Sequence, residues 1–235
     1  MILEPLFSRL KERIRLLGWA DGLLSLLASA CGKLTGSWLR IVKYHLMVQP
    51  VTDKPLLPCR RGGKIQVREV LPSDLPLFQL SARDPAVIAC RFERGGRCLV
   101  ATINERFAGF LWFQKGDYLE DEVRCRFRPL PVQSAVWDYD VYVEPACRLS
   151  PVFLKLWQSA GQILTSEGVK YSCSRISAFN PVSITSHQRM GARAVGSCLF
   201  ICLGQWQCMI SSHSSRIHFN FGRDSVPLVA VECSV

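Results

Sequence analysis

The chain has 235 residues, of which 49% are hydrophobic, so it can form one large domain or a domain with an appendage and is too apolar for a disordered protein. Its formal net charge is +10, and residues 1–61 contribute +6 of it through ten Lys or Arg and four Asp or Glu. A basic surplus attracts nucleic acid, anionic lipid, a phosphate-bearing ligand or an acidic protein, and it does not choose among them.

The cysteine pattern argues against a metal site. The 11 cysteines lie among apolar neighbours without a C-x-x-C pair, and the chain has only four histidines. We therefore expect free thiols in a reducing compartment and no bound metal. Residues 1–20 lack a signal-peptide pattern, and no stretch of about 20 uncharged apolar residues occurs, so we expect no transmembrane helix. The expected location is the cytoplasm, with membrane association as an open alternative.

The first 61 residues have the pattern of a basic amphipathic helix followed by a linker. Apolar side chains recur at steps of three and four from Leu3 to Trp38, with basic side chains opposite them in the first half. Four glycines weaken this pattern, so one helix or two helices can account for it: Gly18, Gly22, Gly32 and Gly36. Residues 38–48 suit a helix or a strand, and the prolines between 50 and 58 mark an extended linker.

The apolar stripe of this segment has two interpretations. It can pack as core against the rest of the chain or a second subunit, which is the commoner fate of such stripes. It can instead lie in a membrane interface, with residues 1–40 in contact with lipid. The local surplus of basic residues motivates the second interpretation.

Residues 62–135 predict the front of a sheet. Lys64–Val70 alternates as a strand, and a helix is predicted from Pro72 to Leu80. Arg97–Asn104 and Phe107–Gln114 then predict a hairpin. Residues 117–131 are charged and predict a solvated loop, with the binding of a polar amine as the alternative.

Residues 136–168 predict a strand, a loop and a helix. Val136–Val143 has the strongest strand pattern in the chain, and Glu144-Pro145 ends it. A helix with an apolar face from Phe153 to Leu164 follows. The loop between them contains Arg148 and Ser150.

The stretch from Tyr171 to Gly191 predicts a strand, a turn and a short helix. Asn180 is a good N-cap, Pro181 suits the first helical turn, and Gly191 allows a left-handed end. Ser183 and His187 are four residues apart and therefore share one helix face. Residues 192–203 and 206–210 predict a closing hairpin, and residues 213–235 predict a loosely held tail.

The spacing in this stretch resembles the cofactor-side helix of the GNAT (N-acetyltransferase-like) acyltransferase superfamily. An Asn is followed by a small residue three positions on, a donor seven positions on and a Gly eleven positions on: Asn180, Ser183, His187 and Gly191. The resemblance extends over residues 62–212 through the strand, helix and hairpin order. It implies an α+β fold, a GNAT-like mixed, mostly antiparallel sheet flanked by helices, with an N-terminal helical extension. The family usually has Tyr at the position of His187, and glycines that the Arg148 loop lacks.

The resemblance implies direct transfer of an acyl group, in the first instance acetyl, from acyl-CoA to an amine. Asp140 is the expected base, with Asp138 as fallback, and His187 the expected acid, because its reference pKa of about 6.5 lies near neutral pH. Tyr139 and Tyr142 are alternative acids. The expected cofactor contacts are of two kinds. The first is the backbone of Val141, Tyr142 and Val143, in a strand that splays from its neighbour. The second is a set of four polar side chains: Arg148, Ser150, Asn180 and Ser183.

Two other functions remain open. A long-chain acyltransferase fed by acyl carrier protein would suit the missing glycines and the basic segment, and a non-catalytic GNAT-like module would bind a partner. The acceptor is expected to be a small-molecule or peptide amine, and no nucleic acid is expected. The predicted domains are an extension over residues 1–61, an acyltransferase domain over 62–212 and a tail over 213–235.

Overall fold

A computed structural model describes residues 3–58, 61–74, 83–213, 216–222 and 225–233, without the side chains of residues 3–10. The helices are α1 (Leu3–Leu34), α2 (Pro85–Glu93), α3 (Val152–Ser166) and α4 (Pro181–Arg189). The strands are β1 (Leu39–Pro50), β2 (Ile65–Val70), β3 (Arg97–Ile103), β4 (Arg106–Lys115), β5 (Tyr118–Leu119), β6 (Arg126–Leu130), β7 (Ala135–Val143), β8 (Tyr171–Ser177), β9 (Arg193–Leu203), β10 (Trp206–Ser211), β11 (Ile217–Asn220) and β12 (Leu228–Glu232). The predicted class, α+β with a mostly antiparallel sheet and helices, is confirmed.

The chain forms two compact units that alternate along the sequence. The first consists of Met1–Gln49, Tyr118–Arg128 and Ser174–Glu232. The second consists of Pro50–Asp117, Pro129–Cys173 and Cys233–Val235. The predicted division into residues 1–61, 62–212 and 213–235 stays a prediction beside these compact units.

The first unit is built on a sheet in which β1 is an interior strand. The strand order is β11-β10-β9-β1-β8, and β1 pairs antiparallel with β9 from Leu39↔Leu203 to Val48↔Arg193. Residues 38–48, for which helix and strand were both open, are therefore almost entirely strand. Val42, Tyr44 and Leu46 alternate into the core, which is the burial that selects the strand. The last part of the predicted extension thus lies inside a sheet.

Helix α1 is broken at Gly18, whose backbone is non-helical at φ 80° and ψ 173°. Arg13 Nη1 donates to Ser25 Oγ at 2.8 Å, and a Cβ placed on Gly22 would lie 3.1 Å from Ile14 Cα. In a continuous helix Ile14 and Gly22 would be about 12 Å apart. The two arms of α1 therefore fold back on each other, which decides the open question in favour of two helical segments.

The C-terminal region differs from the expected loose tail. It forms β11 and β12, and β12 joins β6 and β5 in a three-stranded sheet. Val229 and Val231 are buried, so their alternation holds this strand against the protein. Strands β5 and β6 of the same sheet lie within residues 117–131, where a solvated loop was expected. Cys125 and Phe127 are buried, while Asp121 and Glu122 between the strands are exposed.

The second unit contains the strand order β7-β4-β3-β2, with every pairing in that run antiparallel. The predicted hairpin is β3 and β4. Residues 75–80 of the predicted helix lie outside the described residues. Helix α2 was not predicted, although Asp84 caps it by accepting a hydrogen bond from Ala86 N at 2.8 Å.

Gly109 of β4 is required by close approach of the neighbouring strand. A Cβ at this position would collide with the carbonyl oxygen of Tyr142 and lie 3.2 Å from Val143 Cα. Both obstacles are backbone atoms of β7 and cannot rotate away. No side chain therefore fits here.

We expect Gly109→Ala to lower the free energy of unfolding by about 1–3 kcal/mol, because the added methyl overpacks a backbone contact. Urea denaturation measures the change. Gly63→Ala is the matched control, since a Cβ on Gly63 meets nothing within 4 Å. Equal stability of the two variants would contradict the close approach.

Candidate functional site

Asn180 begins α4 in the way that the sequence predicted. Its Oδ1 accepts a hydrogen bond from Ser183 N at 3.1 Å, and Pro181 is the first helical residue. Gly191 follows the helix with a φ of 89°. The predicted strand, turn and helix are therefore present as β8, Asn180 and α4, and the Asn180 oxygen and the Ser183 amide are paired with each other.

His187 points from α4 into the core of the first unit. Only 4% of its surface is exposed, and its Nδ1 lies 3.2 Å from Gln49 Oε1. Burial lowers the pKa of His187 to about 4. The reference value near 6.5 does not apply here, so the imidazole is neutral at pH 7. Its predicted role as acid stays a prediction, now for a neutral side chain.

Asp140 on β7 is held by two guanidinium groups. Arg83 donates to both carboxylate oxygens, from Nε and Nη2 at 2.8 Å each, and Arg91 Nη1 donates at 2.7 Å. Burial acts to raise the pKa of Asp140, but the hydrogen bonds of Arg83 and the charge of Arg91 outweigh it and hold the pKa below its usual range. Asp140 is therefore an ionised but weakly basic carboxylate.

Tyr142, the alternative acid, lies two residues further along β7. Its ring stacks on Phe107 with centroids 6.3 Å apart, and the Arg83 guanidinium lies 5.9 Å from the ring centroid. Burial, together with the negative charge of Glu144, raises the pKa of Tyr142 above its usual range. The phenol therefore keeps its proton at neutral pH.

The loop after β7 leads to the start of α3. A 3₁₀ turn covers Pro145–Cys147, and Ser150 Oγ donates to Cys147 O at 2.6 Å. Arg148 is exposed, and Pro151 at the N-cap gives α3 no side-chain cap. Positive charge and backbone N–H groups at a helix start favour an anion.

Pro151 and Phe153 stand where the family's pattern has its glycines, and the residue between them, Val152, packs into the core. Val152 is fully buried, with Cγ1 3.3 Å from the position of a Cβ on Gly109. It packs against β4 rather than over the first turn of α3.

The candidate residues fall into two groups, one in each unit. Asn180, Ser183 and His187 lie together on α4 in the first unit. Residues 140–143, Arg148 and Ser150 lie on β7 and the following loop in the second unit. The roles assigned to both groups stay predictions.

A buried ionic cluster in the first unit was missed by the sequence analysis. Glu120 accepts from Arg175 Nε and Nη2 at 2.7 Å each, and the Tyr44 hydroxyl donates to Glu122. The Arg175 guanidinium also lies 4.8 Å from the Tyr44 ring centroid. Two features of the sequence could have indicated this cluster. One is a charged residue, Arg175, within a predicted strand, and the other is a carboxylate, Glu120, within the segment predicted as a loop. Glu120 is thus engaged by Arg175 rather than presented to an amine.

A cavity of about 490 Å³ lies within the first unit, beside the start of α4. Its walls are mostly apolar, and Arg13 forms a polar patch with the serine hydroxyls to which it donates. The lining residues are Arg13, Leu16, Leu17, Ser25, Ala28, Ser29, Ile41, Phe179 and Pro181. This volume is in the range of small-molecule sites, about 300–1,000 Å³.

No protein-family model and no curated protein sequence matches the chain. An aminoglycoside acetyltransferase from an uncultured soil metagenomic sample, in complex with sisomicin, matches with a TM-score of 0.40 and 12% identity, over 55% of this chain and 88% of that chain. A putative GNAT-family acetyltransferase from Novosphingobium aromaticivorans matches with a TM-score of 0.45 and 17% identity, over 68% of this chain and 64% of that chain. A tandem GNAT protein from the clavulanic acid biosynthesis pathway matches with a TM-score of 0.47 and 13% identity, over 70% of this chain and 55% of that chain. Structures described as GNAT proteins are thus among those that the chain resembles, as the sequence pattern predicted.

The buried state of His187 predicts an acid-sensitive stability. The unfolded histidine, with a pKa near 6.5, binds a proton that the folded one, with a pKa of about 4, does not. The stabilisation is therefore complete above pH 6.5 and falls as the pH drops towards 4, by up to about 3 kcal/mol.

Urea denaturation of the native chain and of His187→Gln, between pH 7 and pH 4, measures this loss. Gln does not titrate, so we expect the native chain to lose more stability than the variant over that interval. Parallel pH profiles would show that His187 is not buried in its neutral form.

Proposed function

We propose that this chain is a GNAT-type N-acyltransferase that moves an acyl group from acyl-CoA to an amine. The observation that carries the proposal is the start of α3, where the exposed Arg148 flanks a 15-residue helix without a side-chain cap. This arrangement suits the phosphates of CoA. Arg148 and Ser150 would hold them. For Asn180 and Ser183, contact with the CoA arm stays a proposal from the sequence pattern alone.

The proposed reaction is a direct transfer. The amine nitrogen attacks the thioester carbonyl, a C–N bond forms and the C–S bond breaks, while the amine loses one proton and the departing thiolate gains one. The backbone N–H groups of Val141 and Val143 are the proposed donors to the carbonyl oxygen, because that of Tyr142, like that of Glu144, faces the paired strand β4. Donors fixed in a strand stabilise developing negative charge without reorganising.

The proton transfers are assigned to β7 and α4. Asp140 remains the proposed base and, as a weak base, would act on the amine through water. His187 is the acid proposed from the sequence. Tyr142 is the competing acid, because its phenol carries a proton at neutral pH, whereas the buried imidazole of His187 is not protonated to the imidazolium there.

An acyl donor with a long chain is the second candidate. The cavity beside Pro181 has the apolar walls that such a chain requires. A basic chain with net charge +10 also suits an acidic acyl carrier protein as the donor's carrier. The cytoplasmic location belongs to this proposal as well.

Replacing Tyr142 is expected to separate the two acids. We expect Tyr142→Phe to lower turnover by about 10²-fold or more, because the phenolic proton is lost while the ring packing is kept. Turnover is followed as thiol release from acyl-CoA with the best amine from a screen of small-molecule and peptide amines. Tyr171→Phe is the matched control on another strand. A larger loss in His187→Gln than in Tyr142→Phe would assign the acid to His187.

Replacing Arg148 is expected to weaken donor binding through the phosphates. We expect Arg148→Ala to raise the Kd for acetyl-CoA about 10- to 100-fold, the effect of losing charge-assisted hydrogen bonds. Calorimetry with acetyl-CoA, a long-chain acyl-CoA and acyl carrier protein measures it, and Arg106→Ala is the control. S-acetylpantetheine has no phosphate, so its binding is expected to be unaffected by Arg148→Ala. Equal weakening for both donors would refute a phosphate site at Arg148.

A further inference from the structure

We propose that the first unit binds the surface of an anionic lipid bilayer through an apolar surface on α1 and the outer strands of its sheet. The sheet part, termed the open face, comprises Ile201, Trp206, Ile210, Ile217, Phe219 and Phe221. This proposal does not depend on the acyltransferase reaction.

Strand register places the open face on one side of the sheet. Directly paired residues of antiparallel strands share a side. Ile201 pairs with Cys208 and Cys208 with Phe219, while Ile210 pairs with Ile217. These rows therefore lie side by side on the same surface.

The opposite side of the same strands is already covered by protein. Phe200 and Met209 alternate with the open face and are fully buried. Met209 Sδ lies 4.0 Å from Cys125 Sγ, and Gln207 Nε2 donates to Arg124 O at 2.8 Å. The segment containing Cys125 therefore covers that side.

The open face is apolar although it faces solvent. Trp206 is 56% exposed and Phe219 58% exposed, and both lie near Phe221, at ring-centroid distances of 6.2 and 6.3 Å respectively. A sheet side that meets water usually carries polar residues, and contiguous aromatic exposure marks an interaction surface.

Helix α1 extends this surface. It is fixed over β1 by Asp21, whose carboxylate bonds Lys43 Nζ at 2.6 Å and lies 3.1 Å from His45 Nε2. Its exposed apolar residues include Trp19 at 72% and Leu23 and Leu27 at about half. Trp38 links the two parts, because its carbonyl accepts from Gly204 N at 2.9 Å in the turn before Trp206.

Charge and aromatic content favour a bilayer over a second protein copy. Trp19, Trp38 and Trp206 are exposed, and Trp is the side chain that favours the membrane–water interface. Exposed basic residues of the same unit accompany them: Lys11, Arg15, Lys33 and Arg216. Basic and aromatic residues together are the composition of interfacial helices on anionic lipid.

The break in α1 argues for lying on the membrane rather than crossing it. Lys11–Leu34 is long and apolar enough to span a bilayer by length and composition, which differs from the expectation of no such helix. Its apolar 18-residue window has a mean hydropathy of 1.3 and is 17% buried. The non-helical Gly18 leaves an arm of about 24 Å after it, shorter than the hydrocarbon core of about 30 Å.

The test uses the full chain, because removing residues 1–61 would delete β1 from inside its sheet. Flotation is measured with vesicles of phosphatidylcholine alone and of phosphatidylcholine with phosphatidylserine. We expect binding to the second kind only, with weakening at high salt and a blue shift of tryptophan emission.

Two paired variants locate the contact. Trp206→Ser with Phe219→Ser on the open face, and Trp19→Ser with Leu27→Ser on α1, are each expected to lower the partition coefficient tenfold or more. Leu71→Ser with Val87→Ser is the control, since both residues are exposed in the second unit. Circular dichroism confirms that each variant is folded.

Three results would overturn the proposal. They are failure of the native chain to bind either vesicle, equal binding by the open-face and control variants, and a soluble dimer in sedimentation that the open-face variant dissociates. The last result would assign the surface to a second copy of the chain.

Discussion

The ladder between β1 and β9 is the constraint from which the first unit is built. Because side chains alternate along β1, Val42 and Tyr44 enter the core while Lys43 and His45 face α1. The first set packs with Phe200, and the Tyr44 hydroxyl reaches the carboxylates of Glu120 and Glu122. The second set fixes α1 through Asp21. A shift of one residue would exchange the two sets, burying charge and exposing the core.

The same strand determines the chemistry available on α4. Near the end of β1, Met47 packs near Ile184, and the Gln49 side chain lies within hydrogen-bond distance of His187. The protein itself therefore buries the imidazole, without any ligand. In the second unit the comparable constraint is ionic, since two guanidinium groups hold Asp140. Each unit thus moves a candidate group away from its reference pKa, and each does so through residues distant in the sequence.

Local signals predicted the elements whose causes are local. The N-cap at Asn180 and the hairpin of β3 and β4 follow from neighbouring residues, and both are present. The Arg83–Asp140 and Arg175–Glu120 pairs join residues 57 and 55 positions apart, so no local pattern indicates them. Residues 38–48 were undecidable for a related reason, because an apolar segment becomes a strand only when a partner such as β9 lies beside it.

Strand β9 is apolar on both sides, and this property indicates that the first unit packs against a further layer. Such a pattern is usual for a strand covered on both faces. In the first unit, the segment around Cys125 covers one face, while α1 covers the other only near β1. The face that carries Ile201 and its neighbours is therefore covered only if a further layer, from outside the first unit, packs on it. A bilayer surface would do so without shape complementarity, and the exposed tryptophans and basic residues of the first unit favour lipid over protein as the missing layer.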